Sequence, residues 1–302
     1  MATSFRDELR NTFRSGDTLN ILLLLNVGVF LALRIIDALL GLFMVSSFGS
    51  VTLVNIFAVP ASLPNLLMKP WTLITYQFLH YDFLHILFNL LWLFWMGKIF
   101  SEYLGMKKLL SVYVLGGIAG AALFIFAYNV FPLFSNSLSQ AQALGASASV
   151  LAVTVAIAVF VPDYTVHLLL IGPVRLKYLA LVTILLDLIS VSGSNAGGHI
   201  AHLGGAIFGF LYSANLKKGN DIASWFEKIV EWLKNIPGKR KMKVVRNKRA
   251  LSDEDYMHNK NVTQEKIDSI LEKISRSGYG SLTAEERDLL FNFSNKKNSD
   301  IK

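Results

Sequence analysis

Gly145 and Ala146 lead into Ser147-Ala148-Ser149-Val150-Leu151-Ala152, a small-residue run opening an apolar segment that continues to Val161. His85 and Asn89 stand near the start of one other apolar segment, His199 and His202 near the start of another. A serine hydroxyl within reach of an imidazole is the minimum for an activated nucleophile, because the ring takes the hydroxyl proton and later returns one to a leaving group. His85 and Asn89, four apart, share one helix face. Their N–H groups, with the backbone N–H of Ser147, would form an oxyanion hole for a tetrahedral intermediate. Other readings stand beside these: Gly, Ala and Ser also make the packing seam of a membrane helix, and His85 also suits a bond to a loop carbonyl. Asp187 is the nearby acid, but nothing in the sequence marks it as a third member, so a Ser-His dyad is the simpler reading.

These residues must be carried by membrane-spanning helices. The chain has 302 residues, of which 53% are hydrophobic, with several apolar runs of about 18 residues or more, which is too much apolar sequence for a soluble core. Six spans are expected: 19–44, 83–100, 109–131, 144–161, 178–191 and 195–216. Arg6, Arg10, Arg14, Lys98, Lys107, Lys108, Arg175, Lys177, Lys217 and Lys218 fall on one side of this arrangement, and Lys69 alone on the other, so both termini are expected in the cytoplasm. Spans two, four and six then enter from the outer face, and Asn89, Ser147 and His202 reach a common depth of roughly 7 to 10 Å. Polar groups so placed must face protein or water, which argues for a shared wet site. Between His199 and His202 the packing decides. Gly205 and Gly209 lie three and seven residues beyond His202 on its face, giving the sixth helix a close approach to the fourth; His199 is then auxiliary.

The remainder divides by composition. Residues 1–18 form a basic cytoplasmic segment, and the first apolar run is too long for a signal-peptide core. Arg34 and Asp37 within that run pair or snorkel. Residues 46–70 stay apolar and are expected to lie half-sunk at the interface, anchored by Trp71. Beyond the 19–218 core, 219–250 holds an amphipathic helix on Ile222, Trp225, Phe226, Ile229 and Leu233, then a polybasic run over 239–249 suited to anionic lipid or to a solvated tail. Residues 251–302 read as a small helical hairpin with a Thr283/Glu286 capping box. The net charge of +8 therefore reports topology rather than nucleic-acid binding. No cysteine is present, which excludes disulfides and thiolate chemistry. Neither a phosphate loop nor a carboxylate cluster with metal-ligand spacing is visible.

The chain resembles the rhomboid intramembrane serine proteases. The pattern His-x-x-x-Asn is matched at His85 and Asn89, Gly-x-Ser at Gly145 and Ser147, and Ala-His-x-x-Gly-x-x-x-Gly at Ala201, His202, Gly205 and Gly209. The resemblance implies an all-α membrane protein, a six-helix rhomboid-like bundle with a small cytoplasmic helical tail. It further implies Ser147 as nucleophile, His202 as base, Asn89 and His85 at the oxyanion, and no metal or organic cofactor. Substrates would be transmembrane proteins cleaved in or near a locally unwound helix. The Ser192-Gly193-Ser194-Asn195 connection would serve as a mobile cap. The sequence departs from the family pattern at Ala148, Leu151, Thr72 and Glu102. A silent relative that escorts membrane helices is the alternative function, but such proteins typically lose the serine or the histidine. The plain charge pattern and the lack of a transit peptide favour a bacterial inner membrane.

Overall fold

The computed structural model describes residues 17–42, 50–168, 172–193, 195–235 and 266–299. The basic stretch with Arg6, Arg10 and Arg14, the polybasic run 239–249, and Ser194 of the expected cap lie outside them. Two compact units are present, Met1–Ile236 and Pro237–Lys302.

The first unit starts with α1 (Thr18–Leu42), followed by the short helices α2 (Ser50–Phe57), α3 (Leu63–Met68) and α4 (Thr72–Thr75). Then come α5 (Phe83–Leu104), α6 (Met106–Val130), α7 (Ser147–Phe160), α8 (Leu176–Ser190), α9 (Ala196–Leu216) and α10 (Ser224–Asn235). Helices therefore occupy all six segments expected to be helical spans. Among the described residues, α1, α5 and α6 are long and apolar enough to cross a membrane. Leu31, Ile35 and Leu39 on α1, with Val182, Leu185 and Ile189 on α8, are exposed. That apolar exterior is a surface suited to lipid and not to water.

Two short ladders interrupt the expected all-α pattern. β1 (Val59–Pro60) pairs antiparallel with β2 (Gln142–Ala143), Val59 opposite Ala143. β3 (Thr165–Leu168) pairs with β4 (Gly172–Arg175), Thr165 opposite Arg175. Each satisfies backbone groups between helices, and the first ties the 58–61 segment to the chain just ahead of Ser147. The described part of the apolar 46–70 segment, from Ser50 on, is held by its neighbours. Lys69 Nζ, Trp71 Nε1 and Thr75 Oγ1 donate to the carbonyls of Asn55, Ile56 and Phe57 at 2.8, 2.9 and 2.8 Å, capping the C-terminus of α2. Arg34 pairs with Asp37 at 3.7 Å and lies 4.6 Å over the Tyr81 ring.

At the centre, α9 packs chiefly on α7 and α6. A Cβ at Gly205 would stand 2.1 Å from the Ala148 carbonyl oxygen, and one at Gly209 2.3 Å from that of Ala152. The adjacent Gly204 meets α6 instead, 2.6 Å from Ala119 O by the same measure, so α9 wedges between two helices. Ser213 Oγ donates to Ala156 O at 2.6 Å and Trp92 Nε1 to Thr154 Oγ1 at 3.1 Å. These bonds fix the rotation of α7 against α9 and α5.

The amphipathic α10 belongs to the first unit. Ala223 just ahead of it is fully buried, and Lys107 and Lys108 at the start of α6 pair with Glu231, Asp221 and Glu227. Its polar face is thus engaged with the bundle, while Trp225, Ile229, Trp232 and Leu233 are exposed. The second unit holds α11 (266–277) and α12 (Ala284–Ser299). The expected capping box is formed: Thr283 N donates to Glu286 Oε2 at 2.7 Å and Glu286 N to Thr283 Oγ1 at 3.3 Å.

Candidate functional site

Ser147 is the first residue of α7, later than the expected start at Leu144. The cause is Gly145, whose φ of 120° is incompatible with a right-handed helix and whose N–H donates to Tyr76 O at 2.9 Å. Asn89 and His202 are each the seventh residue of their helices. The residues meet because α7 begins late, and not because all three lie equally far along their helices. Starting a helix at Ser147 has a chemical result: the amides of its first turn lack intrahelical acceptors and carry the positive end of the helix dipole.

Two cavities converge here. One of about 350 Å³ is lined by His85, Phe88, Asn89, Trp92, Ser147, Leu151, Thr183, Asp187 and His202, among others. A second of about 450 Å³ is lined by His85, Gly145, Ser147, Asn195, Ala201 and His202, with Tyr76 at its wall. All four residues singled out for the chemistry, Ser147, His202, His85 and Asn89, border the first, and all but Asn89 the second. His199 borders neither. The His85 ring lies against Gly145: a Cβ there would be 2.9 Å from His85 Cε1 and 3.8 Å from Ser147 Oγ. Asp82 caps α5 by accepting from His85 N at 2.9 Å, and Asn89 Nδ2 donates one hydrogen to His85 O at 2.9 Å. The other amide hydrogen of Asn89 stays available. Among the described residues no hydrogen bond joins Ser147 to His202.

The sequence does not mark Asp187 as part of the site, yet the structure places it there. Its Oδ1 lies 2.8 Å from His202 Nδ1 and 2.8 Å from His199 Nδ1, which corrects the view that no carboxylate stands in the third position. A carboxylate accepting at Nδ1 fixes each neutral ring with its proton on Nδ1 and its lone pair on Nε2, the form a general base requires. The signal was present: Asp187 is an acid inside an otherwise apolar helix, where an unpartnered charge is expensive. His199, His202 and Asp187 also make a cluster of metal-ligand types that sequence spacing did not announce.

Two further residues support the site without a sequence signal. His80 is buried, accepts from Ala146 N at 3.3 Å through Nε2, and packs edge-on against His85 at 5.2 Å. It holds the turn leading into Ser147. Gln77 Oε1 accepts from Ser149 Oγ at 3.0 Å, so the second serine is fully buried and already engaged.

Similarity to known proteins agrees with this geometry. A family model, the rhomboid domain, matches residues 68–218, half of the chain, and contains every residue named for the site. Residues 252–296 match a family of unknown function, DUF6576. RHOMBOID-like protein 12, mitochondrial, of Arabidopsis thaliana is 29% identical over 158 residues, 49% of this chain and 47% of that protein. The chain therefore spans about half the length of the curated relative it matches. It is a membrane protein and, by the extent of the domain match, a member of the rhomboid family.

Proposed function

We propose that the protein is an intramembrane serine endopeptidase that cleaves membrane-protein substrates in or near their transmembrane helices. The observation that carries this reading is the shared cavity at the N-terminus of α7, where Ser147, His202, His85 and Asn89 meet. Ser147 Oγ attacks the scissile carbonyl as His202 Nε2 takes its proton. The oxyanion is held by the Ser147 backbone N–H, the free Asn89 amide hydrogen and a His85 N–H. Collapse returns the proton from His202 to the leaving amine, and water then hydrolyses the acyl-enzyme by the same route. Asp187 keeps His202 in the basic tautomer. No step calls on a metal or organic cofactor.

The six helices α1, α5, α6, α7, α8 and α9 are the spans in this reading, with both termini on the cytoplasmic side, where α10 joins the basic start of α6. Its exposed tryptophans suit a lipid interface. A bacterial inner membrane is the sequence-based expectation, and the comparison does not support it, since the matched plant relative is mitochondrial by name. A second reading, a silent relative that binds membrane helices, draws on the absence of a Ser147–His202 hydrogen bond. Uncomplexed serine hydrolases often carry such loose geometry. A serine-directed fluorophosphonate separates the two: covalent labelling mapped to Ser147 is expected, and a folded protein that remains unlabelled and leaves a model transmembrane substrate intact refutes protease activity.

A further inference from the structure

Asp187 Oδ1 accepts from two imidazoles at once, and the ligand-capable atoms of Asp187, His199 and His202 lie within 4.8 Å of one another. Asp187 is 8% exposed, and with His202 it borders the 350 Å³ cavity. An ion arriving through that cavity meets Asp187 and His202 first, with the His199 ring behind them completing a set of two ring nitrogens and one carboxylate oxygen. Such a set suits Zn²⁺ and poorly suits Mg²⁺ or Ca²⁺, which take oxygen ligands. Tetrahedral ligands at zinc distances are about 3.3 Å apart, so the two Oδ1–Nδ1 spacings of 2.8 Å need only open by about half an ångström, while the two ring nitrogens, within 4.8 Å of one another, adjust onto the same ion.

We propose that Asp187, His199 and His202 form an inhibitory site for a zinc-like divalent cation, with water as fourth ligand. The site itself stands on the cluster geometry; its inhibitory effect rests on His202 being the base. Hydrogen-bonded to Asp187, His202 carries its proton on Nδ1 and offers the Nε2 lone pair to Ser147. A cation bound at Nδ1 takes that nitrogen's lone pair, so the proton leaves Nδ1 and, through solvent, re-enters at Nε2. The ring stays neutral, but Nε2 is now a donor and cannot accept the Ser147 proton. Asp187 exchanges two N–H···O bonds for one bond to the cation, and no oxidant or reductant takes part. His199 supplies the third protein ligand without bordering either cavity, so the cation grips the base through a group remote from the nucleophile.

The full-length protein in detergent, stripped with EDTA and then freed of chelator, is titrated with Zn²⁺ while fluorophosphonate labelling of Ser147 is followed. Co²⁺ binding is measured separately by the visible absorption of tetrahedral cobalt. The expected result is suppression of labelling by Zn²⁺ but not Mg²⁺, recovery with EDTA, and one equivalent of tetrahedral Co²⁺. His199→Ala and His199→Gln, each normalised to its own metal-free rate and checked for native melting, raise the half-inhibitory Zn²⁺ concentration by at least about tenfold and lose the cobalt band. Equal Zn²⁺ sensitivity in those variants, or no cobalt band in a wild type that labels normally, overturns the proposal. A cobalt band that depends on His199 in a wild type that never labels upholds the cation site and rejects the protease reading.

Discussion

Gly205 on α9 meets Ala148 on α7 backbone to backbone: a Cβ at Gly205 would lie 2.1 Å from the Ala148 carbonyl oxygen and 2.9 Å from its carbon. No flexible side chain there could yield, so Gly205→Ala forces the two helices apart. We expect Ser147 labelling to be lost and the melting temperature to fall, with a cost on the order of 1 to 3 kcal/mol or more. Gly28→Ala on α1, where a Cβ meets nothing within 4 Å, is the control. Replacing a helical glycine in open space should be neutral or stabilise by up to about 1 kcal/mol. Thermal unfolding of both variants, with labelling, checks the contrast.

Ser147→Ala should abolish cleavage, by at least about a thousandfold, with little change in melting, because it removes one hydroxyl beside a cavity. Ser149→Ala should keep labelling at Ser147. Its cost is in stability, about 1 to 3 kcal/mol, since the buried Gln77 Oε1 loses a donor. Mass mapping of the labelled peptide decides between the serines, and label on Ser149 would reassign the nucleophile.

His202→Ala should eliminate fluorophosphonate labelling. His199→Ala should leave labelling in place and lower turnover only several-fold, because Asp187 retains His202 as partner. Comparison of labelling rates between the two variants tests this, and label retained in His202→Ala but lost in His199→Ala would transfer the base.

Asn89→Ala removes one oxyanion donor while the helix amide at Ser147 remains. The expected loss in turnover is roughly tens to hundreds-fold, with KM nearly unchanged, since the developing charge exists in the transition state and not in bound substrate. Steady-state kinetics on a model transmembrane substrate measure the split.

In the C-terminal unit, the Thr283 backbone N–H and then the Lys273 ammonium hold the Glu286 carboxyl below its usual range. A lowered folded pKa means that this support is complete above the unfolded carboxylate value and is lost as pH falls through the folded one. Hydrogen-exchange protection of the first turn of α12, corrected for intrinsic exchange, should therefore decline on acidification through that window. Glu286→Gln should begin lower and show no such decline.

The sequence alone determined the six long helical segments and the residues whose types suit chemistry, because those are local properties. Uninterrupted apolar runs need helices in lipid whatever their neighbours. A glycine three or seven residues beyond His202 shares its face by helix geometry alone, and Thr283 and Glu286 are close enough in the chain to cap one another. Tertiary structure decided what depends on which helices are neighbours and how each is rotated. The recessed start of α7 follows from a bond between Gly145 and Tyr76, and the engagement of the Ser149 hydroxyl follows from Gln77, 72 residues away. The two ladders depend likewise on partner strands. Asp187 reads in sequence as one acid in an apolar stretch. It becomes the partner of two histidines 12 and 15 residues further on only when α8 packs beside α9, because side-chain periodicity records the face a helix presents but not the helix that face meets.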